Sequence, residues 1–381
     1  MRIKAISLAA LACIATSVHA QSSVTLYGIL DEGFDYTSNV GGNHVYELTS
    51  GYAAGSRWGL RGVEDLGGGT KALFQLESGV NLSNGAAGQG GRMFGRQAYV
   101  GVSNERFGSV KFGRQYDSVV DYLAPTTANG NWAGYLFAHP FDNDNTDNSF
   151  RVNNTVKYTS PSIGGFQFGG TYSFSNDTGF ANNRQYSVGA SYANGGLLAG
   201  AAYLRADGTG LTANGAIATN DASFIAARMQ IFGAGVNYTF GNATAGFAYT
   251  NSSYRDPVTN GYIGVPLASP GNTLKNLKYQ NFEVNGKYQF TPAFFVGAQY
   301  VYSMETYDST AGTVKPHIHS AGLMADYFLS KRTDVYVQGA YQKIAGSSTD
   351  SVMDQAFIPG TQGLSSNSKQ FVARVALRHA F

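Results

Sequence analysis

The chain has 381 residues, of which only 13% are charged and 13% aromatic, with 49 Gly, 25 Tyr and 24 Phe; an average soluble domain carries about 25% charged residues. A formal charge of +2 offers no basic surplus for nucleic acid, which is not an expected partner. With Cys13 as the single cysteine, an internal disulfide is excluded.

The N-terminus reads as a signal peptide over residues 1–20. Arg2 and Lys4 form the basic region, Ala5–Val18 the apolar stretch, and Val18-His19-Ala20 a small-x-small site with cleavage after Ala20. Cys13 after Ala10-Leu11-Ala12 would suit a lipoprotein signal, but Ala stands where Leu is favoured and apolar sequence continues past the cysteine. Removing Arg2 and Lys4 takes the 26 basic residues to 24, equal to the 24 acidic ones. Residues 21–381 then form one domain. Nothing in it approaches the roughly 20 consecutive apolar residues of a spanning helix.

What recurs instead is a two-residue period. Val24, Leu26, Gly28 and Leu30 alternate with Thr25, Tyr27 and Asp31. In Arg57-Trp58-Gly59-Leu60-Arg61, Trp58 and Leu60 take the lipid parity and both arginines point inward. Past Gly67-Gly68-Gly69, a hairpin turn, Ala72, Phe74, Leu76 and Val80 face outward against Lys71, Gln75 and Glu77. The pattern returns in Phe166–Phe174 and Phe282–Phe290, and ends in Lys369–Phe381, where Phe371, Ala373, Val375, Leu377 and Phe381 oppose Gln370, Arg374 and Arg378. A membrane protein without helices must close its sheet, because backbone groups in hydrocarbon have no water to bond. The fold class is therefore an all-β transmembrane antiparallel barrel in a bacterial outer membrane.

Short turns are expected at Gly67–Gly69, Asn104–Arg106, Gly164-Gly165, Gly195-Gly196, Gly241-Asn242, Thr291-Pro292 and Ser330–Arg332. Longer external loops are expected near 38–54, 83–92, 115–150, 176–184, 206–224, 254–278, 305–316 and 345–368, strictly alternating with the turns. This gives about sixteen strands, an even number as in bacterial single-chain barrels; Ala226–Phe240 reads as one long strand or a strand with a bulge. The segment 115–150 is too long and too aromatic (Tyr122, Trp132, Tyr135, Phe137, Phe141) for a simple cap or a disordered stretch. Folding it into the barrel brings Asp117 and Asp121 opposite the inward arginines.

Several segments resemble the Gram-negative general porins, most closely the β-proteobacterial group of Burkholderia and Neisseria. They include Ser23–Gly28, Ser56–Gly67, Arg96–Gly101, Phe112-Gly113-Arg114-Gln115-Tyr116, Val156-Lys157-Tyr158, Leu329–Thr333 with Tyr341-Gln342, and Arg378-His379-Ala380-Phe381. The resemblance implies a sixteen-stranded homotrimeric barrel with its third external loop bent into the pore, passing ions and small hydrophilic solutes by passive diffusion. It places Arg57, Arg96, Arg151 and Arg114 on the basic side of the constriction and Glu77, a lumenal wall residue, on the acidic side with Asp117 and Asp121. The acidic half departs from the enterobacterial Pro-Glu-Phe-Gly-Gly motif, so Asp117 and Asp121 are assigned by position. Outer-membrane lipid, lipopolysaccharide and the barrel assembly machinery are implied partners, with Phe381 as the insertion signal.

Blander readings stand beside these. The arginines could simply keep a lumen wet, Arg114 shares its parity with Val110 and Phe112 unless the strand bulges, and Phe381 could be a border aromatic. His317 and His319 read as border histidines rather than a metal pair, and Gly208-Thr209-Gly210 lacks a nucleotide setting. No catalytic residue, cofactor or metal is expected. No Gly-x-Ser-x-Gly elbow occurs, so an enzyme is not expected, while a sugar- or organic-anion-preferring channel or an adhesin stays open as the alternative.

Overall fold

The computed structural model describes residues 23–381; the assignment of 1–20 as signal peptide, with cleavage after Ala20, lies outside the described residues. Sixteen strands cross the wall. The first six are β1 (Ser23–Val40), β2 (Asn43–Ser50, resuming as Arg57–Gly67), β3 (Thr70–Gly79), β4 (Gln97–Asn104), β5 (Gly108–Gln115) and β6 (Val152–Thr159). The next six are β7 (Phe166–Ser173), β8 (Gln185–Asn194), β9 (Leu197–Thr209), β10 (Phe224–Phe240), β11 (Ala243–Arg255) and β12 (Leu274–Thr291). The last four are β13 (Phe294–Ser309), β14 (Gly312–Val314, resuming as Pro316–Phe328), β15 (Thr333–Gly346) and β16 (Lys369–Ala380).

Each strand pairs antiparallel with its chain neighbour, and β1 closes on β16 with Ile29 opposite Ala380 and Thr37 opposite Val372. Closure satisfies the backbone of every wall strand without an edge. Phe381 extends the seam by one residue: its N–H donates to Gly28 O at 3.0 Å, and Gly28 N–H donates to Phe381 O at 3.2 Å. The ring lies where any side chain at position 28 would stand, which is why a glycine suits that place.

The alternation sorts the two faces. Val24, Leu26, Phe166, Phe168, Val284, Phe290, Val375 and Leu377 are exposed on the outside, whereas Asp31, Asp35, Ser173, Asn281, Glu283 and Arg374 are buried on the inside. Arg374 is fully buried because Asp35 (2.9 Å) and Asp31 (3.1 Å) face it from β1. Single charges at these inward positions would be costly without such partners.

The seven short turns fall where glycines and Asn or Pro pairs allow them, with positive φ at Gly67–Gly69, Gly164 and Gly195. External connections are less uniform than strict alternation of short and long predicts. Gly41-Gly42 is a tight hairpin, and the long polar stretch beyond it is strand Asn43–Ser50 paired to β1, followed by a six-residue break at 51–56. Thr310-Ala311 is likewise a tight turn between β13 and β14. β10 is one strand of 17 residues, in unbroken register with β11 from Arg228 to Phe240.

The third external loop, residues 116–151, enters the barrel as a chain of single helical turns (Val119–Leu123, Ala124–Thr126, Asn129–Ala133, Tyr135–Phe137 and Pro140–Asp142). Two apolar clusters fasten it to the wall. Val119, Leu123 and Phe141 pack with Leu204, Met229, Ile231 and Tyr254; Ala133, Leu136 and Phe137 pack with Phe295, Met324 and Tyr336. Burying one Leu or Phe this way contributes roughly 1.5–3 kcal/mol. The wall makes room with inward glycines: a Cβ at Gly200 would overlap the Tyr122 carbonyl, one at Gly235 the Thr126 hydroxyl, and one at Gly297 the Trp132 ring. The break in β2 receives the loop's far side, Tyr135 N–H donating to Tyr52 O at 2.8 Å.

Candidate pore constriction

Three strand ends bring arginines to one place. Arg57 begins the second half of β2, Arg96 immediately precedes β4 and Arg151 immediately precedes β6. Together they line a cavity of about 420 Å³, whose opposite side is the loop, with Tyr135, Asp147 and Ser149, and Tyr262 from the loop after β11. Glu77 of β3, expected on the acidic side, instead anchors the arginine side, because its strand runs beside the one that carries Arg57 and its carboxylate pairs with Arg57 and Arg96. Its carboxylate accepts from Arg96 Nε at 2.9 Å and from Tyr27 and Tyr116 hydroxyls at 2.9 and 3.3 Å, and stands 3.9 Å from Arg57 Nε. Arg96 Nη2 donates to Tyr116 Oη at 3.1 Å, and Arg151 lies 5.8 Å from the centre of the same ring.

One carboxylate thus serves two of the three guanidinium groups, and Arg151 has no ion pair with it. Arg151 is buried, its Nε has no hydrogen-bond partner, and burial together with Arg96 lowers its pKa to about 10. Across the cavity, burial and the Asp142 carboxylate push Asp147 well above the usual carboxylate range, against the pull of Arg151 and Arg96. The aperture carries surplus positive charge at neutral pH.

The remaining sequence candidates sit elsewhere. Arg114 turns inward because β5 bulges between Gly113 and Gln115, but both its terminal nitrogens bond Asp221, at 2.8 and 2.7 Å, and its Nε donates to Gly95 O at 2.7 Å. With Arg92 on the same carboxylate at 3.0 Å, it ties the second and fifth external loops to the wall and does not line the cavity. Asp117 is fully buried inside the loop: it accepts from Val119 N–H at 2.8 Å and Asn145 Nδ2 at 2.7 Å, and burial raises its pKa to about 6. Asp121 pairs with Lys157 of β6 and also lies off the cavity lining. The loop carboxylate that does face the arginines is Asp147, which the sequence marks only as part of the polar tract Asp142-Asn143-Asp144-Asn145-Thr146-Asp147.

A second charged group holds the loop in place. His139 is fully buried between Asp144 (Nδ1 to Oδ2, 2.5 Å) and Glu283 of β12 (Nε2 to Oε2, 2.9 Å). The two carboxylates and their hydrogen bonds outweigh burial and raise its pKa to about 10, while His139 and its hydrogen bonds lower Asp144 to about 2. Glu283 also accepts from Ala128 N–H at 2.7 Å, Asn285 Nδ2 at 2.6 Å and Gln299 Nε2 at 3.0 Å.

A closed barrel with a lipid-facing apolar surface, a polar interior and a loop that leaves a charged aperture is a membrane channel. The chain belongs to the Gram-negative porin family, whose model matches residues 7–347. It is 35% identical to an outer membrane porin protein of Bordetella pertussis over 90% of this chain and 94% of that one. It is 29% identical to outer membrane porin protein 32 of Delftia acidovorans over 98% and 99%. Among solved structures, the anion-selective porin from Comamonas acidovorans superposes with a TM-score of 0.72 at 25% identity, over 95% of this chain and all of that one. OmpT of Vibrio cholerae in its trimer form, 18% identical with a TM-score of 0.66 over 94% and 99%, shares the fold. The protein is an outer-membrane porin, a water-filled channel for passive diffusion of ions and small hydrophilic solutes.

Proposed function

We propose that Arg57, Arg96 and Arg151 form the basic side of the eyelet, that Asp147 takes the acidic side in place of Asp117 and Asp121, and that the channel prefers small anions. The observation that carries this reading is the imbalance at the aperture: three arginines at three strand ends around one cavity, with Glu77 paired to Arg57 and Arg96 and no carboxylate paired to Arg151. Charges beside a narrow ion path act strongly because the low-dielectric wall limits screening. The anion selectivity of the Comamonas relative supports the same sign. In a salt gradient, Arg57→Glu/Arg151→Glu should move the zero-current potential from anion toward cation preference, with conductance changed less than selectivity. An unchanged reversal potential would remove both arginines from the narrowest section.

The assembled form in this reading is a homotrimer of separately conducting barrels, each exposing apolar side chains such as Val24, Leu26 and Leu48 on strands β1 and β2. Unboiled protein should run as a large species in detergent gels and collapse to monomer on heating. Phe381, exposed at the seam, is the residue read by the barrel assembly machinery. Its deletion should lower the amount of heat-modifiable trimer while leaving signal cleavage intact; normal yield would reduce it to a border aromatic.

A further inference from the structure

Below the eyelet the lumen opens into a second cavity of about 250 Å³, set between the underside of the third loop and the periplasmic ends of β12, β13, β14 and β16. It shares Ala53, Asn129 and Gly130 with the lining of the eyelet cavity. A solute that has passed the arginines therefore meets this lining next.

The lining combines aromatic rings with one unpaired cation. Register puts Lys287 of β12 opposite Gly297 of β13, and the Trp132 ring of the loop fills the place that Gly297 leaves. Ammonium and indole are thus neighbours on the wall. Trp132 stands edge-on to Phe137 at 5.6 Å and to Phe295 at 6.3 Å and is only half-buried. Phe328 adds a second half-buried ring, 6.4 Å from Phe295. Lys287 Nζ lies 5.4 Å from the centre of the Phe295 ring, and among the described residues no carboxylate pairs with it. The acids nearby are taken by Arg378, which holds Asp334 at 3.0 Å and Asp326 at 3.4 Å. An ammonium held over a ring face keeps its N–H donors for a solute.

We propose that this cavity is a subsite for small carboxylates that carry a flat ring. The carboxylate accepts from Lys287 Nζ, and the ring lies against Trp132 and Phe328. A space smaller than the roughly 300 Å³ of sites for drug-sized ligands suits a single substituted ring. A small aliphatic anion gains only the ammonium and a neutral ring only the aromatic wall, so a solute with both features dwells longest beneath the loop. The subsite rests on the channel itself and not on the charge assigned to the eyelet.

The test uses the folded full-length porin with benzoate, acetate and benzyl alcohol as probes. The chain has two tryptophans, so Trp58→Phe leaves Trp132 as the sole indole reporter. In mild detergent, benzoate should change Trp132 emission with a half-saturation about tenfold or more below that of acetate or benzyl alcohol. Lys287→Gln in the same background should raise the benzoate value by about tenfold. Equal values for benzoate and acetate, or a value unmoved by Lys287→Gln, would overturn the subsite. In planar bilayers the channel with both tryptophans should lose chloride conductance to benzoate over the same concentrations, and Trp132→Leu should shift that block upward by about fivefold. Should Trp132→Leu loosen the loop, seen as flickering current, Phe328→Leu on the wall is read instead, and an undiminished block there overturns the subsite as well. Emission is read without current, so failure of the eyelet's anion preference and failure of this subsite are separately visible.

Discussion

Glu77 and Glu283 are both inward carboxylates on wall strands, and they show how the two sides of the lumen differ. Glu283 is closed off: His139, a backbone N–H and two amides occupy its oxygens, and no solvent reaches it. Glu77 is anchored too, yet the groups that bond it, Arg96 and its neighbours, remain beside an open cavity. The first arrangement cancels charge to hold a loop down; the second, in the proposed eyelet, leaves charge over to act on solutes. A porin needs both, because an eyelet of fixed charge works only if the loop opposite it does not move.

The largest expected effect comes from the loop side. His139→Ala leaves Asp144 and Glu283 facing one another without their cation, and breaking a buried ion pair in this way costs roughly 3–5 kcal/mol. The barrel ladder does not depend on His139, so the yield of folded barrel should hold while the loop comes loose. Single-channel records should show larger, flickering conductance, and limited proteolysis should cut within 116–151. Quiet wild-type openings from the variant would mean that apolar packing alone holds the loop. The charges also set a pH window. His139, raised to about 10, contributes its part fully below its unfolded value of about 6.5 and loses it as pH rises through 10. Asp144, lowered to about 2, contributes above about 4 and loses it as pH falls through 2. Loop opening should thus grow toward both extremes.

A smaller effect is expected where the wall accommodates the loop by size alone. Gly200→Val would drive a side chain into the Tyr122 carbonyl, and overpacking of this kind costs about 1–3 kcal/mol. Conductance should rise modestly with selectivity retained, since the arginines of the other side are untouched. A loss of anion preference instead would show that Tyr122 and its neighbours help position the eyelet.

The barrel was legible because lipid and water impose opposite demands on alternate residues, so Phe282, Val284 and Phe290 identify themselves against Glu283 and Asn285. The alternation weakens toward the external rim, where polar residues such as Thr306 and Asp308 stand on the outward face and glycines and asparagines surround short strands. The ends of β13 and β14 therefore read as loops, and so does Asn43–Ser50, whose outward Tyr46 and Leu48 are too few to stand out within a Gly/Asn-rich stretch. Arginines on inward parity, such as Arg57, stood out for the same physical reason as the strands. Arg114 did so only through a bulge, and its partner Asp221 lies in a loop with no period to locate it. Asp117, Asp121 and Asp147 could not be ranked from sequence, because a loop made of single turns has no repeat that tells which carboxylate caps a turn, which pairs with the wall and which faces the cavity.

Asp147 sharpens the comparison most finely, because it is the one carboxylate the loop gives to the cavity lining. Burial and Asp142 raise its pKa, so the carboxyl stays neutral over more of the pH range than an ordinary aspartate and adds negative charge to the eyelet only as pH rises. Arg151, held at about 10, remains cationic through neutral pH, so any change over the interval below that value belongs to carboxyls, with Asp147 the one on the cavity lining, rather than to the arginines. Anion preference, read as the zero-current potential in a fixed salt gradient, should therefore decline with rising pH across that interval in the native channel. Asp147→Asn removes the ionisable oxygen and keeps the backbone N–H that donates to Asp142 at 3.0 Å, so loop docking should survive. The variant should be at least as anion-selective as the native protein at low pH and should lose the decline. A native channel whose reversal potential is flat across the interval, or a variant that still follows the native curve, would place the titrating charge elsewhere and leave the three arginines to set selectivity alone.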